Sequence, residues 1–197
     1  MPHSPNFNDY EKDKPALPTI ITHAVVPWFL GSASGPRAIP RRLLLACGVV
    51  AMLPDLDVLS FRLGIPYGSP FGHRGAAHSL AAAIVVGLLS MLFARWLGAG
   101  RWRVFAAVAL SYVSHPLLDA CTDGGYGVAL LWPFTNHRYF AAFAPIEVAP
   151  IGMRFFSSRG LEVMFSEMIW VWVPVAIVAL LIFRSRCLFS PEQSRTT

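Results

Sequence analysis

The sequence predicts an all-α protein, a multi-pass transmembrane helical bundle with about four to five membrane helices. Of its 197 residues, 55% are hydrophobic and only 14% are charged, whereas soluble domains carry about 25% charged residues. The mean hydropathy is +0.52. The apolar residues fall into long runs separated by Gly, Pro and Arg, which is the pattern of membrane helices.

Five apolar runs are expected to form these helices. The first is short for a full span, which needs about 20 residues, so a tilted or half-inserted helix is expected there. Pro174 is expected to kink the last helix. The runs cover residues 20–33, 43–53, 80–97, 102–119 and 163–183.

The chain is predicted to form one membrane-embedded domain, residues 19–186, because it has the length of one domain and no internal repeat. A flexible polar tail, 1–18, is expected before it and a polar tail, 187–197, after it. The net charge of +5 does not indicate nucleic acid, because the basic residues are thinly spread and lie at the ends of apolar runs. We therefore expect membrane lipids as partners and leave the oligomeric state open.

The segment 111–123 carries the strongest chemical signal. His115 and Asp119 are four residues apart, so on a helix they share one face. Imidazole and carboxylate at that spacing form either a metal-ligand pair or an acid/base pair. Asp55 and Asp57 are two apart and would point to nearly opposite faces of a regular helix. Pro54 is placed to break that regularity and let both carboxylates reach one site.

Alternate crossing of the membrane would sort the polar residues by side. The arginines of the first connector, of the 95–103 turn and of the C-terminal segment would lie on one side. The positive-inside rule places that side in the cytoplasm and the other at the outer face. The outer side would then gather His23, Asp55, Asp57, His73, His78, His115, Asp119, Asp123 and His137.

Imidazole nitrogens and carboxylate oxygens suit zinc, and also manganese or iron. The three cysteines form no CxxC pair, so a purely structural thiolate site is not expected. Because there are more candidate ligands than one tetrahedral ion needs, one or two ions are expected. The predicted metal ligands are His23, Asp55, Asp57, His73, His78, His115, Asp119 and His137.

Three further residues are predicted to act on the substrate. Asp123 is expected to serve as general base. Arg74 and Arg138 each neighbour a candidate ligand, and a guanidinium there would bind a phosphate or carboxylate group. Interfacial arginines that meet lipid headgroups are the alternative for both.

The order of these motifs resembles the YdjM-type family of inner-membrane proteins, whose members are assigned as metal-dependent hydrolases. The resemblance runs from about Thr19 to Phe140. It implies a multi-pass bacterial inner-membrane protein and carries the site onto Asp55, Asp57, His73, His78, His115 and Asp119. The family's histidine block has a hydroxyl residue before its second histidine, where Ala77 stands here. The matching motifs are Thr22-His23, Leu53-Pro54-Asp55-Leu56-Asp57, His73-Arg74-Gly75-x-x-His78-Ser79, Ser114-His115-x-x-x-Asp119 and Leu131-Trp132-Pro133-Phe134.

The sequence thus predicts a membrane-bound, metal-dependent hydrolase. A metal-activated water would attack an amphiphilic substrate of lipid or lipid-phosphate type at the bilayer surface. Two alternatives stay open: a non-enzymatic protein that handles ions or protons with the same residues, and a structural metal that ties helix ends together. Ligands bunched at one membrane depth favour surface chemistry over transport.

Overall fold

Eight α-helices make up most of the described chain, confirming the predicted all-α fold. The structure, a computed structural model, describes residues 16–17, 19–150 and 157–189. Two-residue strands, β1 (Ala16–Leu17) and β2 (Ala149–Pro150), form a short antiparallel pair in which Ala16 faces Pro150. The helices are α1 (Ile20–Ser34), α2 (Arg41–Met52), α3 (Leu59–Arg62), α4 (Leu80–Ser90), α5 (Ala94–Leu97), α6 (Arg101–Ala120), α7 (Ser158–Glu167) and α8 (Val173–Phe189).

Short 3₁₀ and π turns join several helices into longer rods. The 3₁₀ turn Leu53–Val58 links α2 to α3, Met91–Phe93 links α4 to α5, and the π-helical turn Met168–Trp172 links α7 to α8. The resulting rods are Arg41–Arg62, Leu80–Leu97 and Ser158–Phe189. By length and composition, these three are able to cross a membrane, and α1 is a shorter apolar helix.

Helix α6 is central to the packing. It contacts α1, α2 and α4, while α1 also packs on α2 and α8. Close approach of α4 to α6 depends on Gly87, where a methyl group would come within 3.0 Å of Phe105 and Ala109. A buried cluster closes the bundle near the start of α6, formed by Leu43, Cys47, Ala94, Leu97, Val104 and Val108.

The arginines of the first connector, of the turn before α6 and of α8 lie at one end of the bundle, as the sequence predicts. Arg42 Nη1 donates to Trp96 O at 3.2 Å, and Arg103 Nη1 donates to Arg37 O at 3.0 Å. Arg186 Nη1 donates to the carbonyl of Ala33, near the end of α1, at 2.8 Å. His23, in the first turns of α1, and His115, near the end of α6, lie at the opposite end.

The ends of the chain differ in detail from the expected tails. Helix α8 continues to Phe189, three residues into the segment 187–197. Strand β1 lies in the segment expected to be a flexible tail. The remaining tail residues, 1–15, 18 and 190–197, lie outside the described residues. A π-helical turn, Met168–Trp172, lies directly before α8, and the kink at Pro174 stays a prediction.

Candidate metal centre

Pro54 is the second residue of the 3₁₀ turn Leu53–Val58, which presents the first two carboxylates. Proline lacks the N–H that would continue the α-helical bonding of α2, and Leu53–Val58 continues from α2 with tighter geometry. Asp55 in this turn is buried, and Asp57 is 10% exposed. The two side chains meet different partners, Asp55 facing His115 and Asp57 facing His73 and His78.

Helix α6 supplies the second pair of candidate ligands, His115 and Asp119. His115 and Asp119 are both fully buried, and His115 Nε2 lies 3.6 Å from Asp119 Oδ2, as expected for residues one turn apart. His115 Nδ1 is 2.7 Å from the carbonyl oxygen of Ala51. A carbonyl only accepts hydrogen bonds, so this contact places the proton on Nδ1. The lone pair of Nε2 then faces the site.

His78 enters from the 3₁₀ turn Ala76–His78, which the Tyr112 hydroxyl holds by donating to Ala77 O at 2.6 Å. His78 Nδ1 lies 2.9 Å from Asp57 Oδ2, so its Nε2 also faces the site. Burial disfavours the charged ring, but the carboxylates of Asp119 and Asp57 outweigh it and raise the pKa of His78.

Four ligand atoms converge here, one each from Asp55, His78, His115 and Asp119, all within 4.8 Å of one another. The two Nε2 atoms are 3.1 Å apart, and Asp119 Oδ2 lies 3.1 Å from that of His78. Asp55 Oδ1 is 3.3 Å from His115 Nε2 and 4.0 Å from His78 Nε2. Metal bonds of about 2.0–2.2 Å place tetrahedral ligands about 3.3–3.6 Å apart. The residues therefore fit a single metal ion.

The charges of the cluster also fit a divalent cation. With neutral imidazoles, the carboxylates of Asp55, Asp57 and Asp119 face one buried guanidinium, that of Arg74, which leaves two negative charges uncompensated. Uncompensated buried charge is costly. Only one proton fits between the Nε2 atoms of His78 and His115, because two N–H groups would collide at 3.1 Å. One divalent ion balances the charge.

Asp57 and His73 form a second layer behind these four ligands. His73 Nδ1 lies 2.5 Å from Asp57 Oδ1, and the backbone N–H of Arg74 donates to Asp57 Oδ2 at 3.1 Å. Asp57 thus contacts both His73 and His78 and orients their rings. The rings of His73 and Tyr67 lie 5.2 Å apart. Asp57 and His73 thus lie beside the four convergent residues, and their role as metal ligands stays a prediction.

Arg74 is fully buried although it carries a charge. Its Nε lies 3.3 Å from Asp119 Oδ2, and its Nη1 donates to Thr122 Oγ1 and Gly124 O. Its φ of 56° is in the left-handed region, which is rare for non-glycine residues. Both Arg74 and the preceding His73 are fully buried at this turn.

His23 brings a further imidazole to the cluster. Its ring stacks on that of His115, with centroids 3.5 Å apart and an interplanar angle of 17°. Its Nε2 lies 3.6 Å from Asp119 Oδ1. Neither ring nitrogen has a hydrogen-bond partner among the described residues. His23 is thus placed to support His115 or to extend the ligand set.

Three predicted site residues lie apart from the buried cluster. The His137 ring is exposed and packs on Tyr139, with centroids 4.7 Å apart. The Asp123 side chain is exposed and accepts a hydrogen bond from Val148 N at 3.0 Å. Its role as general base stays a prediction. The guanidinium of Arg138 donates to four backbone carbonyls, those of Tyr67, Ser69, Gly127 and His73, so in this structure it holds loops together.

Sequence reasoning missed a second buried polar group. Glu167, with 1% of its surface exposed, accepts hydrogen bonds from Thr19 and Thr22. A carboxylate inside a long apolar segment was the available signal. Its partners lie 145–148 residues away in the chain, so their identity could not be read from local spacing.

Comparison with known proteins places this arrangement in a family. The family model described as "YdjM inner membrane protein" matches residues 18–188. The chain belongs to this family. It is 46% identical over 173 residues to the inner membrane protein YbcI of Escherichia coli (strain K12), covering 86% of this chain and 100% of the relative. No solved structure matches the chain. Family and relative together support an inner membrane location.

Proposed function

We propose that this protein is a membrane-bound, metal-dependent hydrolase with Asp55, His78, His115 and Asp119 as metal ligands. The observation that supports it is the convergence of two imidazole nitrogens and two carboxylate oxygens on one buried, negatively charged point. A divalent ion held there would supply Lewis acidity and make a water molecule nucleophilic at neutral pH. Zinc suits this ligand set best, with manganese or iron as alternatives and His23 available to a second ion.

The surrounding residues would hold the ligands in place and meet the substrate. Asp57 and the Ala51 carbonyl orient the two ligand imidazoles through their Nδ1 atoms, as outer partners do in metal sites. Arg74 Nη2 has no hydrogen-bond partner among the described residues. Its N–H groups would favour a phosphate or carboxylate group of the substrate.

An apolar groove supports a substrate with a hydrocarbon chain. The groove has a volume of about 190 Å³ and lies between α1, α2 and α6. Its lining includes Pro27, one turn beyond His23, and Ser114, next to His115. The Ser111 and Ser114 hydroxyls donate to carbonyls of their own helix, so they need no polar partner in the groove. An amphiphile of lipid or lipid-phosphate type is the proposed substrate class.

The test is hydrolysis in vesicles of phosphatidylethanolamine and phosphatidylglycerol, with fatty acid and phosphate release measured separately. We expect release by the zinc- or manganese-loaded protein and at least about a hundredfold less from Asp55→Asn, which loses a charged ligand. Glu162→Gln, which alters an exposed carboxylate outside the site, is the control. An unchanged hydrolysis rate in Asp123→Asn would rule out Asp123 as the general base.

A structural metal ion is the second candidate. The four convergent ligands are almost fully buried, Asp55 being the most exposed at 4%, and closed four-ligand sites are typical of structural zinc. Full metal occupancy without hydrolysis of either bond type would favour this function. Loss of folding on metal removal would support it further.

We also propose that the chain crosses the inner membrane repeatedly with the metal centre at the periplasmic face. The arginines at the opposite end support this orientation. Cys187 is exposed near the end of α8, on the arginine side. A membrane-impermeant maleimide should therefore label Cys187 in permeabilised spheroplasts but not in intact ones.

The matched probe for that experiment is Asn136→Cys in a Cys121→Ser, Cys187→Ser background. Asn136 is exposed in the loop that Arg138 joins to the site side. We expect this cysteine to be labelled in intact spheroplasts. If intact spheroplasts are labelled at Cys187 but not at the cysteine introduced by Asn136→Cys, the orientation is the opposite of the one proposed.

A further inference from the structure

Glu167 is the last residue of α7 and lies within the apolar rod Ser158–Phe189. A buried carboxylate in such a segment is costly unless hydrogen bonds compensate it. The backbone N–H and the hydroxyl of Thr19 each lie 2.5 Å from a carboxylate oxygen, and the Thr22 hydroxyl lies 2.6 Å away. All three donors belong to the start of α1.

These contacts complete the N-terminus of α1. Thr19 is the capping residue of α1 but makes no capping hydrogen bond with its own side chain, and the first turn holds no acidic residue. The N-terminal N–H groups of a helix lack partners within it, and the helix dipole favours a negative charge there. The Glu167 carboxylate, supplied by another helix, accepts the Thr19 N–H and brings a negative charge to this end of α1.

The π-helical turn after Glu167 adds a second link to the same place. Trp172, at the end of this turn, donates from Nε1 to Thr22 Oγ1 at 2.8 Å. Thr22 therefore contacts both the carboxylate of α7 and the indole of the π-helical turn. Its backbone continues directly into His23.

The position of His23 depends on this anchoring. Neither nitrogen of its ring has a hydrogen-bond partner among the described residues. Its main ring contact is the stack on His115. The backbone of the first turns of α1 therefore decides how the two rings meet, and the ring of His115 carries a ligand atom of the metal centre.

We propose that Glu167 is a positioning residue for the metal centre. Through Thr19 and Thr22 it fixes the first turn of α1 and so holds His23 against His115. This inference rests on the proposed metal centre. It links the rod Ser158–Phe189, which contributes no member of the convergent ligand set, to the geometry of that set.

Cobalt binding to the full-length protein in detergent tests the proposal. We expect Glu167→Ala to weaken Co²⁺ affinity by about 10–100-fold, the usual range for outer partners of metal ligands, and to change the visible Co²⁺ spectrum. Glu167→Gln keeps an oxygen acceptor for Thr19 and should stay within a few fold of wild type. Thr22→Val removes the hydroxyl contacts with Thr19, Glu167 and Trp172 at nearly constant shape and should weaken binding in the same direction.

Arg186→Ala is the matched control. The Arg186 bond to Ala33 O joins α1 to the same rod, Ser158–Phe189, at the far end of α1. We expect this variant to lose thermal stability while keeping the wild-type Co²⁺ affinity and spectrum. Wild-type affinity and spectrum in both Glu167→Ala and Thr22→Val would overturn the positioning role, whatever their melting temperatures. A wild-type protein that binds neither Co²⁺ nor Zn²⁺ would instead overturn the metal centre itself.

Discussion

Replacing His115 or Asp119 with alanine is expected to remove the bound metal. A four-ligand structural zinc site is worth about 10–16 kcal/mol. If the four ligands contribute equally, the loss of one costs about 3 kcal/mol of binding free energy, which weakens metal affinity about a hundredfold. Elemental analysis after dialysis against a competing chelator should find stoichiometric metal in the wild type and little in either variant.

His137→Ala is the matched control for this experiment. His137 is also a histidine on the site side, but its ring is exposed and packs on Tyr139. Metal content should therefore stay at the wild-type level. Metal retained by a folded His115→Ala variant would contradict the ligand set. Loss of metal in His137→Ala would show that His137 belongs to the ligand set.

Replacing Arg74 with methionine is expected to lower the free energy of unfolding by about 3–5 kcal/mol, as removal of one partner from a buried ion pair does. The substitution leaves the Asp119 carboxylate without its buried guanidinium. It also removes the Nη1 donor from Thr122 Oγ1 and Gly124 O. Thermal and denaturant unfolding in detergent, followed by circular dichroism, would measure the loss.

Arg62→Met provides the comparison, because Arg62 is exposed at the end of α3. Its effect should fall within about 0.5 kcal/mol, the usual range for surface substitutions. Equal effects of the two substitutions would show that the buried ion pair contributes little. The measurement should be made on metal-free protein as well, to separate the ion pair from metal binding.

Much of the site was predictable because its residues follow local rules. The i, i+4 spacing of His115 and Asp119 and their position at a helix end predicted a shared face, and the structure places both at the centre of the cluster. Pro54 predicted the irregular turn that brings Asp55 and Asp57 to one end. The charge sorting along the chain predicted which residues share that end of the bundle.

The functions of individual side chains within the cluster depend on distances that sequence spacing does not contain. Asp57 was predicted as a ligand, and in the structure its carboxylate faces the Nδ1 atoms of two histidines. Arg138 was predicted to face the substrate, but backbone carbonyls use its donors. Both outcomes arise from contacts between segments that are separated in the sequence. The partnership of Glu167 with α1 has the same origin.

The left-handed backbone at Arg74 limits which residues that position can accept. Most L residues adopt this conformation at a cost of about 1–2 kcal/mol, from which glycine is exempt. Glycine would thus relax the local backbone while removing the guanidinium that faces Asp119. The residue with the least backbone strain at position 74 is therefore one that leaves the Asp119 carboxylate without its buried cation. Conformational ease and electrostatic balance oppose each other at this single residue.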